Sequence, residues 1–435
     1  MNKKISLIGA ISMAVGTMVG ASIFSIFGVG AEIAKQDLPE TFVLSAFYAL
    51  AVAYSYMKFG KKIVSNAGPI AFVMKGFGDN IITGSLSVLM WLSYVVSISL
   101  FAKGFAGYFL PLVGITATPL ATGLTVVIVI AFFTALNFFG SKAVGKAEFY
   151  IVLIKLSILG VFIVGGLFTV KPDLLKPSFD ASHVSGLIHA SVIFFLSYMG
   201  FGLVTNMSEN MERPERNVPL AIIISILIVS VIYVTVAMAA VGNLPLKELI
   251  AAKENALAIA AKPFLGNFGF LLISIGALFS ISSALNATLY GGANIAYSFA
   301  KEGELPEFFE RKEWFGATEG LYITAGLGML FALLFNVGGI AAITSSVFTI
   351  IYIFVMFSHY KLRDEVGGNK ILILFNLSLI SAVFVLLLYF QWLDQRPVFY
   401  GTIITFAAAM FVETFYRKVK TRNFKPIEYV KKIIK

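Results

Sequence analysis

Two clusters of glycine and small polar residues lie in the middle of long apolar stretches. The first runs from Gly16 to Ser22 with the sequence GTMVGAS, and the second from Ser197 to Gly202 with the sequence SYMGFG. We expect the helix to be interrupted at each. A helix interrupted in an apolar setting leaves amides at one end, which attract a carboxylate, and carbonyls at the other, which attract an ammonium group. The two clusters together predict a binding site for a zwitterion.

Other interpretations of the same residues remain open. Gly16 and Gly20 also form a GxxxG pattern, which in many membrane helices only lets two backbones pack closely. The matching position of the second cluster favours interruption over packing. Tyr198 and Phe201 fit a helix core and a substrate contact equally well.

Lys155 is the second feature with possible chemistry. It lies inside the apolar run 151–159, roughly 12 Å along the helix from Ala147. The nearest acidic residue in the sequence, Glu148, lies seven positions before it, about two turns of helix away. A lysine in this setting indicates function, although its long stem could also carry the ammonium group to the membrane surface. Because burial disfavours the charged form, Lys155 is a candidate to exchange a proton, whereas Lys103 is expected to reach the surface.

The elements that position these residues are predicted to be membrane spans. The chain is 58% hydrophobic and only 13% charged, whereas soluble domains are close to half apolar and a quarter charged. Apolar runs of 18 residues or more indicate an all-α membrane protein. Twelve spans are predicted, at about 5–34, 40–59, 81–112, 119–140, 147–169, 184–209, 217–242, 264–300, 319–337, 340–360, 371–391 and 397–416.

The net charge of +10 follows from the placement of the basic residues. With twelve spans, most of the 33 lysines and arginines fall in alternate loops and in the tail. This asymmetry predicts cytoplasmic termini and removes the main support for binding of nucleic acid. The basic tail 417–435 suits a segment lying on anionic lipid. The loop 243–263 is expected to contain a short helix that could act as a lid.

Enzyme chemistry has little support in the sequence. There is no cysteine, only three histidines occur, and neither HExxH nor GxSxG is found. We expect no metal, no cofactor and no catalytic residue.

Four motifs, in order along nearly the whole chain, resemble one known family. They are the first glycine cluster, FFLSYMGF at 194–201, ERPERNVP at 212–219 and AKEGELP at 300–306. Together they resemble the amino acid-polyamine-organocation superfamily, most closely its archaeal proton-coupled branch. The resemblance implies the LeuT fold, with a core at 1–361 built as a five-plus-five inverted repeat. Two further helices at 370–416 and the cytoplasmic tail would follow.

The resemblance also implies roles for individual residues. The substrate carboxylate would meet the amides of Gly20, Ala21 and Ser22. The amino group would meet carbonyls near Met18, Leu196 and Met199, with Val19, Tyr198 and Phe201 completing the site. Lys155 would place its ammonium where relatives bind sodium, near the Gly16 carbonyl and the hydroxyls of Ser282 and Ser283. Some relatives carry an acidic residue where this chain has Gly202, which leaves Lys155 as the candidate for proton coupling.

The expected function is proton-coupled uptake of amino acids across the plasma membrane by alternating access. Its partners would be the amino acid, protons and membrane lipids. Two alternatives remain. One is an exchanger without ion coupling, in which Lys155 is structural, and the other is a membrane sensor that binds amino acids without moving them.

Overall fold

The computed structural model describes residues 4–65, 68–137, 144–176, 180–301, 305, 307–311 and 318–419. Most of the basic tail, and residues 302–304 and 306 of the AKEGELP motif, lie outside these ranges. The described residues form α-helices and short 3₁₀ segments, and a parallel β-bridge pairs Ile5 with Met211.

Eighteen α-helices follow one another along the described chain. The first nine are α1 (Leu7–Met18), α2 (Ala21–Ala34), α3 (Leu38–Lys62), α4 (Pro69–Phe77), α5 (Ile81–Leu112), α6 (Pro119–Asn137), α7 (Val144–Leu167), α8 (Ala181–Phe194) and α9 (Leu203–Asn206). The next nine are α10 (Pro214–Val241), α11 (Leu246–Ala251), α12 (Ala256–Ala260), α13 (Lys262–Lys301), α14 (Glu319–Leu334), α15 (Val337–Lys361), α16 (Arg363–Val366), α17 (Lys370–Asp394) and α18 (Arg396–Val419).

All twelve predicted spans have helical counterparts. Ten described segments are long and apolar enough to cross a membrane, and one of them, Ser22–Lys62, joins α2 to α3. Two shorter apolar helices, α1 and α14, complete the set. The third predicted span has the bounds of α5, and the other boundaries differ by a few residues. The prediction of an all-α membrane protein with a LeuT-like fold is confirmed.

Side-chain caps begin several of these helices. Asn80 caps α5 because its Oδ1 accepts hydrogen bonds from the amides of Ile82 and Thr83, at 2.9 and 3.1 Å. Asn336 caps α15 in the same way, accepting from the Gly339 amide at 2.7 Å. A cap satisfies amides that have no partner within the helix. At these two positions, asparagine therefore determines the residue at which the helix begins.

The middle of the bundle is formed by α5, which packs against α13, α14, α15 and α18. On the other side, α10 packs closely against α3 and also contacts α1 and α7. The two interrupted spans lie between these groups, where helices α1, α2 and α8 meet α10 and α15. The zwitterion site predicted from sequence therefore lies inside the bundle.

Two local features differ from the sequence prediction. The helix α4, between the second and third spans, was not predicted. The loop 243–263 contains two short helices, α11 and α12, instead of one, because Lys253 between them has a positive φ of 49°. An L-residue in that conformation cannot continue a right-handed helix.

Candidate functional site

The first span is interrupted as its glycine cluster predicts. Helix α1 ends at Met18 and α2 begins at Ala21. The Gly20 amide donates to the Thr17 carbonyl at 3.2 Å, so it already has a partner within the turn. The first turn of α2 receives no side-chain cap from the described residues. Its amides therefore point toward the gap with the positive end of a helix behind them.

The sixth span is interrupted in a different way. Helix α8 ends at Phe194, and the chain continues as a 3₁₀ helix over Phe195–Gly202 before α9 begins. The sequence predicted an open gap with bare peptide groups. A 3₁₀ helix instead bonds each amide to the carbonyl three residues earlier, so fewer groups are left open. Eight residues are a long run for this helix type, and such runs often mark functional hinges.

The two interruptions touch at Gly200. A Cβ at this position would lie 2.8 Å from the Met18 side chain and 2.9 Å from the Met18 amide nitrogen. Real Cβ atoms do not approach other heavy atoms so closely, so only glycine lets the two spans meet here. Close packing between the two interruptions therefore occurs at a glycine outside the GxxxG pattern, while within that pattern Gly16 lies against Val152 of α7.

Tyr233 of α10 connects the interruptions from the side. Its hydroxyl donates to the Met18 carbonyl and also lies 3.1 Å from the Ser197 carbonyl. The Ser22 hydroxyl donates to the same Met18 carbonyl at 3.1 Å. Since a carbonyl oxygen has two lone pairs, Met18 already has a full set of donors. A substrate ammonium that binds this carbonyl must replace one of them.

A cavity of about 600 Å³ lies beside the two interruptions. Its volume is within the range of small-molecule sites in proteins. Six of the predicted site residues belong to its lining: Gly16, Met18, Ser22, Lys155, Leu196 and Met199. The wall also includes apolar and aromatic side chains that the sequence did not single out: Tyr56, Met90, Tyr94, Phe348, Ile351 and Tyr352. Lys155 is the one charged residue among the described lining residues.

Other predicted site residues lie away from the described cavity wall. Tyr198 is fully buried and donates to the Phe42 carbonyl at 3.0 Å, and Phe201 is stacked on Tyr352. Their packing favours the core interpretation over substrate contact. Val19 is buried, and its carbonyl accepts from Ser280 at 3.4 Å. The side chain of Ala21 lies outside the described part of the structure.

Lys155 reaches the first interruption. It is 2% exposed, and its Nζ donates to the Gly16 carbonyl in the last turn of α1. This close approach of α7 depends on Gly16, where a Cβ would collide with Val152. Ser282 and Ser283 are half-buried on α13, next to the lining residue Ala284. Their predicted role beside Lys155 stays a prediction.

The cavity extends from the interruptions toward one end of the bundle. Gly9, Ser12 and Met13 of α1 line this part, together with Leu203 and Asn206 of α9. We call it the α1 end and the opposite one the α2 end. At the α2 end, the short segment Lys253–Asn255 lies directly on Gly28, where a Cβ would collide with the Lys253 carbonyl. The path between helices is therefore closed at the α2 end.

Tyr233 could not be identified as a site residue from the sequence, because its neighbours in the chain do not distinguish it. Tyr233 lies in an apolar helix, with no glycine or charged residue within the seven positions on either side. The lining residues Tyr56 and Tyr352 could not be identified from the sequence for the same reason. Their importance follows from tertiary contacts between spans far apart in sequence.

Comparison with known proteins agrees with this architecture. Residues 5–416 match the model of a family described as amino acid permease. An uncharacterised protein of Methanocaldococcus jannaschii is 66% identical over 430 residues, which cover 99% of both chains. The inner membrane transport protein YbaT of Escherichia coli is 29% identical over 97% of this chain and 98% of its own. The branched-chain amino acid permease BcaP of Bacillus subtilis is 25% identical over 68% of this chain and 66% of its own.

The family match spans the interrupted helices, the cavity and Lys155 together. It covers both halves of the predicted repeat and reaches into α18. The chain therefore belongs to the amino acid permease family of the amino acid-polyamine-organocation superfamily.

Proposed function

We propose that this chain carries amino acids across the plasma membrane by alternating access, in symport with protons. The family is one of amino acid permeases, and the names of two similar proteins describe a transport protein and a branched-chain amino acid permease. The sequence also resembles the archaeal proton-coupled transporter ApcT. These likenesses support amino acid transport, and the proton coupling rests on the site itself.

The substrate would bind between the two interruptions as a zwitterion. Its carboxylate would accept hydrogen bonds from the uncapped first turn of α2, at Ala21 and Ser22. Its amino group would replace a donor at the Met18 carbonyl, which Tyr233 and Ser22 now occupy. Leu196 and Met199 would contact the rest of the molecule from the cavity wall.

The observation that carries the coupling is the bond from Lys155 to the Gly16 carbonyl. A buried ammonium is expensive in the membrane and is retained where it has a role. In the protonated form, Lys155 holds α7 against α1 beside the substrate cavity. Release of the proton weakens this bond, because a neutral amine is a poorer donor than an ammonium group. The helix α1 can then move away from α7.

The orientation follows from the charge asymmetry of the loops. Most basic residues fall on the side of the two termini, so the termini would be cytoplasmic. The α1 end of the cavity would then face the cytoplasm, and the closed α2 end would face outward. With this orientation, the structure represents a state closed to the outside, from which substrate leaves inward.

Uptake of a radiolabelled amino acid panel into proteoliposomes tests the proposal, with proton or sodium gradients imposed across the membrane. We expect wild-type uptake to follow the proton gradient and to ignore sodium. Lys155→Ala should still exchange substrate across the membrane but lose its dependence on the pH gradient. Lys103→Ala serves as the control, because Lys103 is half-buried on α5 and does not line the described cavity.

Two results would contradict the coupling mechanism. Accumulation of substrate against its gradient by Lys155→Ala would remove Lys155 from the coupling. Wild-type uptake that requires an amino acid inside the vesicles, with no net uptake and no acidification of the lumen under a proton gradient, would indicate an exchanger instead of a symporter.

A further inference from the structure

Gly202 lines the cavity, and neither close packing nor backbone conformation explains why this position is glycine. The lining contains five glycines: Gly9, Gly16, Gly200, Gly202 and Gly291. At Gly16 and Gly200, a Cβ would collide with Val152 and Met18. At Gly291 it would lie 2.9 Å from the Tyr94 ring. Glycine is needed at these three positions because another helix passes too close for any side chain.

The surroundings of Gly202 impose no such limit. The nearest atom to a Cβ at this position would be Cε1 of Tyr56, at 3.7 Å, which is an ordinary van der Waals distance. The backbone conformation does not require glycine either. Gly202 has φ −61° and ψ −27°, in the right-handed helical region that every L-residue adopts.

A side chain at this position would enter the cavity. Gly202 and Tyr56 both line it, and a Cβ on Gly202 would point toward the Tyr56 ring. The missing side chain therefore leaves space next to an aromatic wall. Because Tyr56 packs edge-on against Phe201 and Tyr352, with ring centroids 5.3 and 5.6 Å apart, the wall cannot easily move into this space.

The chemistry of this wall limits what can fill the space. Much of the cavity lining is apolar or aromatic, with Met199, Phe348, Ile351 and Tyr352 among its members, and the neutral amide Asn206 lines it four positions after Gly202. The described lining contains no carboxylate that could pair with a cationic side chain. Burying an unpaired charge there would be costly, so a neutral, apolar group fits best.

We propose that Gly202 sets the size of the substrate side chain, and that the space it leaves receives the side chain of a large neutral, apolar amino acid. The inference rests on the proposed function, because it assigns the substrate class of the same cavity. Removing one methylene-sized volume from an apolar pocket changes discrimination about 10- to 200-fold. Side chains added at this position should therefore exclude large substrates before small ones.

The experiment compares uptake of leucine, phenylalanine, alanine, lysine and glutamate by purified protein in proteoliposomes. The variants are Gly202→Ala, Gly202→Val and Gly202→Leu. The control is Gly326→Val, on α14, where a Cβ would meet nothing within 4 Å and the residue does not line the cavity. Wild type should prefer leucine and phenylalanine over lysine and glutamate. The leucine-to-alanine ratio should fall about tenfold or more in Gly202→Val and less in Gly202→Ala, and stay unchanged in Gly326→Val.

The alternative role of Gly202 is that of a hinge between the 3₁₀ segment and α9. A hinge would make every variant lose leucine and alanine uptake in equal proportion, and that result would overturn the proposal. Lysine uptake equal to leucine uptake by the wild type would overturn the substrate class. If Gly202→Leu does not fold, Gly202→Ala still tests the proposal, because its added Cβ would lie at an ordinary van der Waals distance from the Tyr56 ring. A wild type that takes up no amino acid would remove the proposed function as well.

Discussion

The Tyr233 hydroxyl lies within hydrogen-bond reach of two main-chain carbonyls, Met18 and Ser197, which belong to the two interrupted spans. A tyrosine hydroxyl carries a single hydrogen, so the two carbonyls share one donor. The phenol is fully buried between the rings of Phe42 and Tyr198, with centroids 5.1 and 5.3 Å away. One side chain from a third helix therefore connects the two interruptions, in addition to their direct contact at Gly200.

Tyr233→Phe should strengthen substrate binding while the helix packing persists, because the ammonium no longer has to replace this donor at the Met18 carbonyl. The variant keeps the ring but leaves two buried carbonyls with one donor fewer. A buried carbonyl left without a donor costs about 1–3 kcal/mol, and the substrate ammonium recovers this energy when it binds, so we expect the KM for uptake to fall about tenfold. The control is Tyr108→Phe, since the Tyr108 hydroxyl also donates to a carbonyl of the first span, that of Phe24, at 3.2 Å. Equal changes of KM in both variants would argue against a special role of Tyr233.

Gly16→Ala should disturb proton coupling by separating α1 from α7. The new Cβ would collide with Val152, one turn before Lys155, and would move the Lys155 ammonium away from the Gly16 carbonyl. We expect uptake driven by a pH gradient to fall at least about tenfold, the factor that corresponds to 1.4 kcal/mol. The double variant Gly16→Ala with Val152→Ala makes room for the added atom and should recover most of the uptake. If it does not, the loss has another cause than this contact.

Much of the fold could be predicted from sequence because membrane spans are long, apolar and separated by polar breaks. The bounds of α5 were predicted to the residue, and the interruption after Met18 follows from its glycines. Lys155 stood out because a charge in an apolar helix is costly. Each of these signals is local in sequence.

The remaining features of the site depend on contacts between distant segments. The 3₁₀ form of Phe195–Gly202 was not predicted, since glycine permits both an open gap and a tighter helix. Tyr198 and Phe201 were left open between core and substrate contact, and only packing against Phe42 and Tyr352 favours the core. Sequence alone does not say which face of a uniformly apolar helix meets the cavity.

Asp180 gives a prediction for stability as a function of pH. Its carboxylate accepts hydrogen bonds from the amides of His183 and Ser182, both at 3.0 Å, at the start of α8. The bond from the His183 amide, followed by the one from the Ser182 hydroxyl, lowers the pKa of this carboxyl below its ordinary value. A lowered folded-state pKa means that the stabilisation is complete above the unfolded-state pKa, about 3.9, and is lost as the pH falls toward the folded-state pKa.

Asp180→Ala should therefore lower the thermal midpoint at pH 7, and the difference from wild type should narrow as the pH is reduced below about 4. Unfolding of the detergent-purified protein, followed by its intrinsic fluorescence, measures both midpoints. Asp180→Asn retains a capping oxygen and should show a smaller deficit at neutral pH. A gap between Asp180→Ala and wild type that stays constant down to pH 3 would mean that the ionised carboxylate is not responsible.

Gly28→Ala should prevent closure of the α2 end. A Cβ at Gly28 would collide with the Lys253 carbonyl, and this main-chain atom cannot move away as a flexible side chain could. The segment Lys253–Asn255 would have to rise from α2, which opens the path toward the interruptions.

Since the chain has no cysteine, Ser25→Cys gives a single reporter at a fully buried position on α2. In the double variant Gly28→Ala with Ser25→Cys, we expect a membrane-impermeant thiol reagent to label the introduced thiol several times faster than in Ser25→Cys alone. Gly326→Ala in the same background should leave the labelling rate unchanged, and equal rates in all three proteins would show that the contact at Gly28 does not control access.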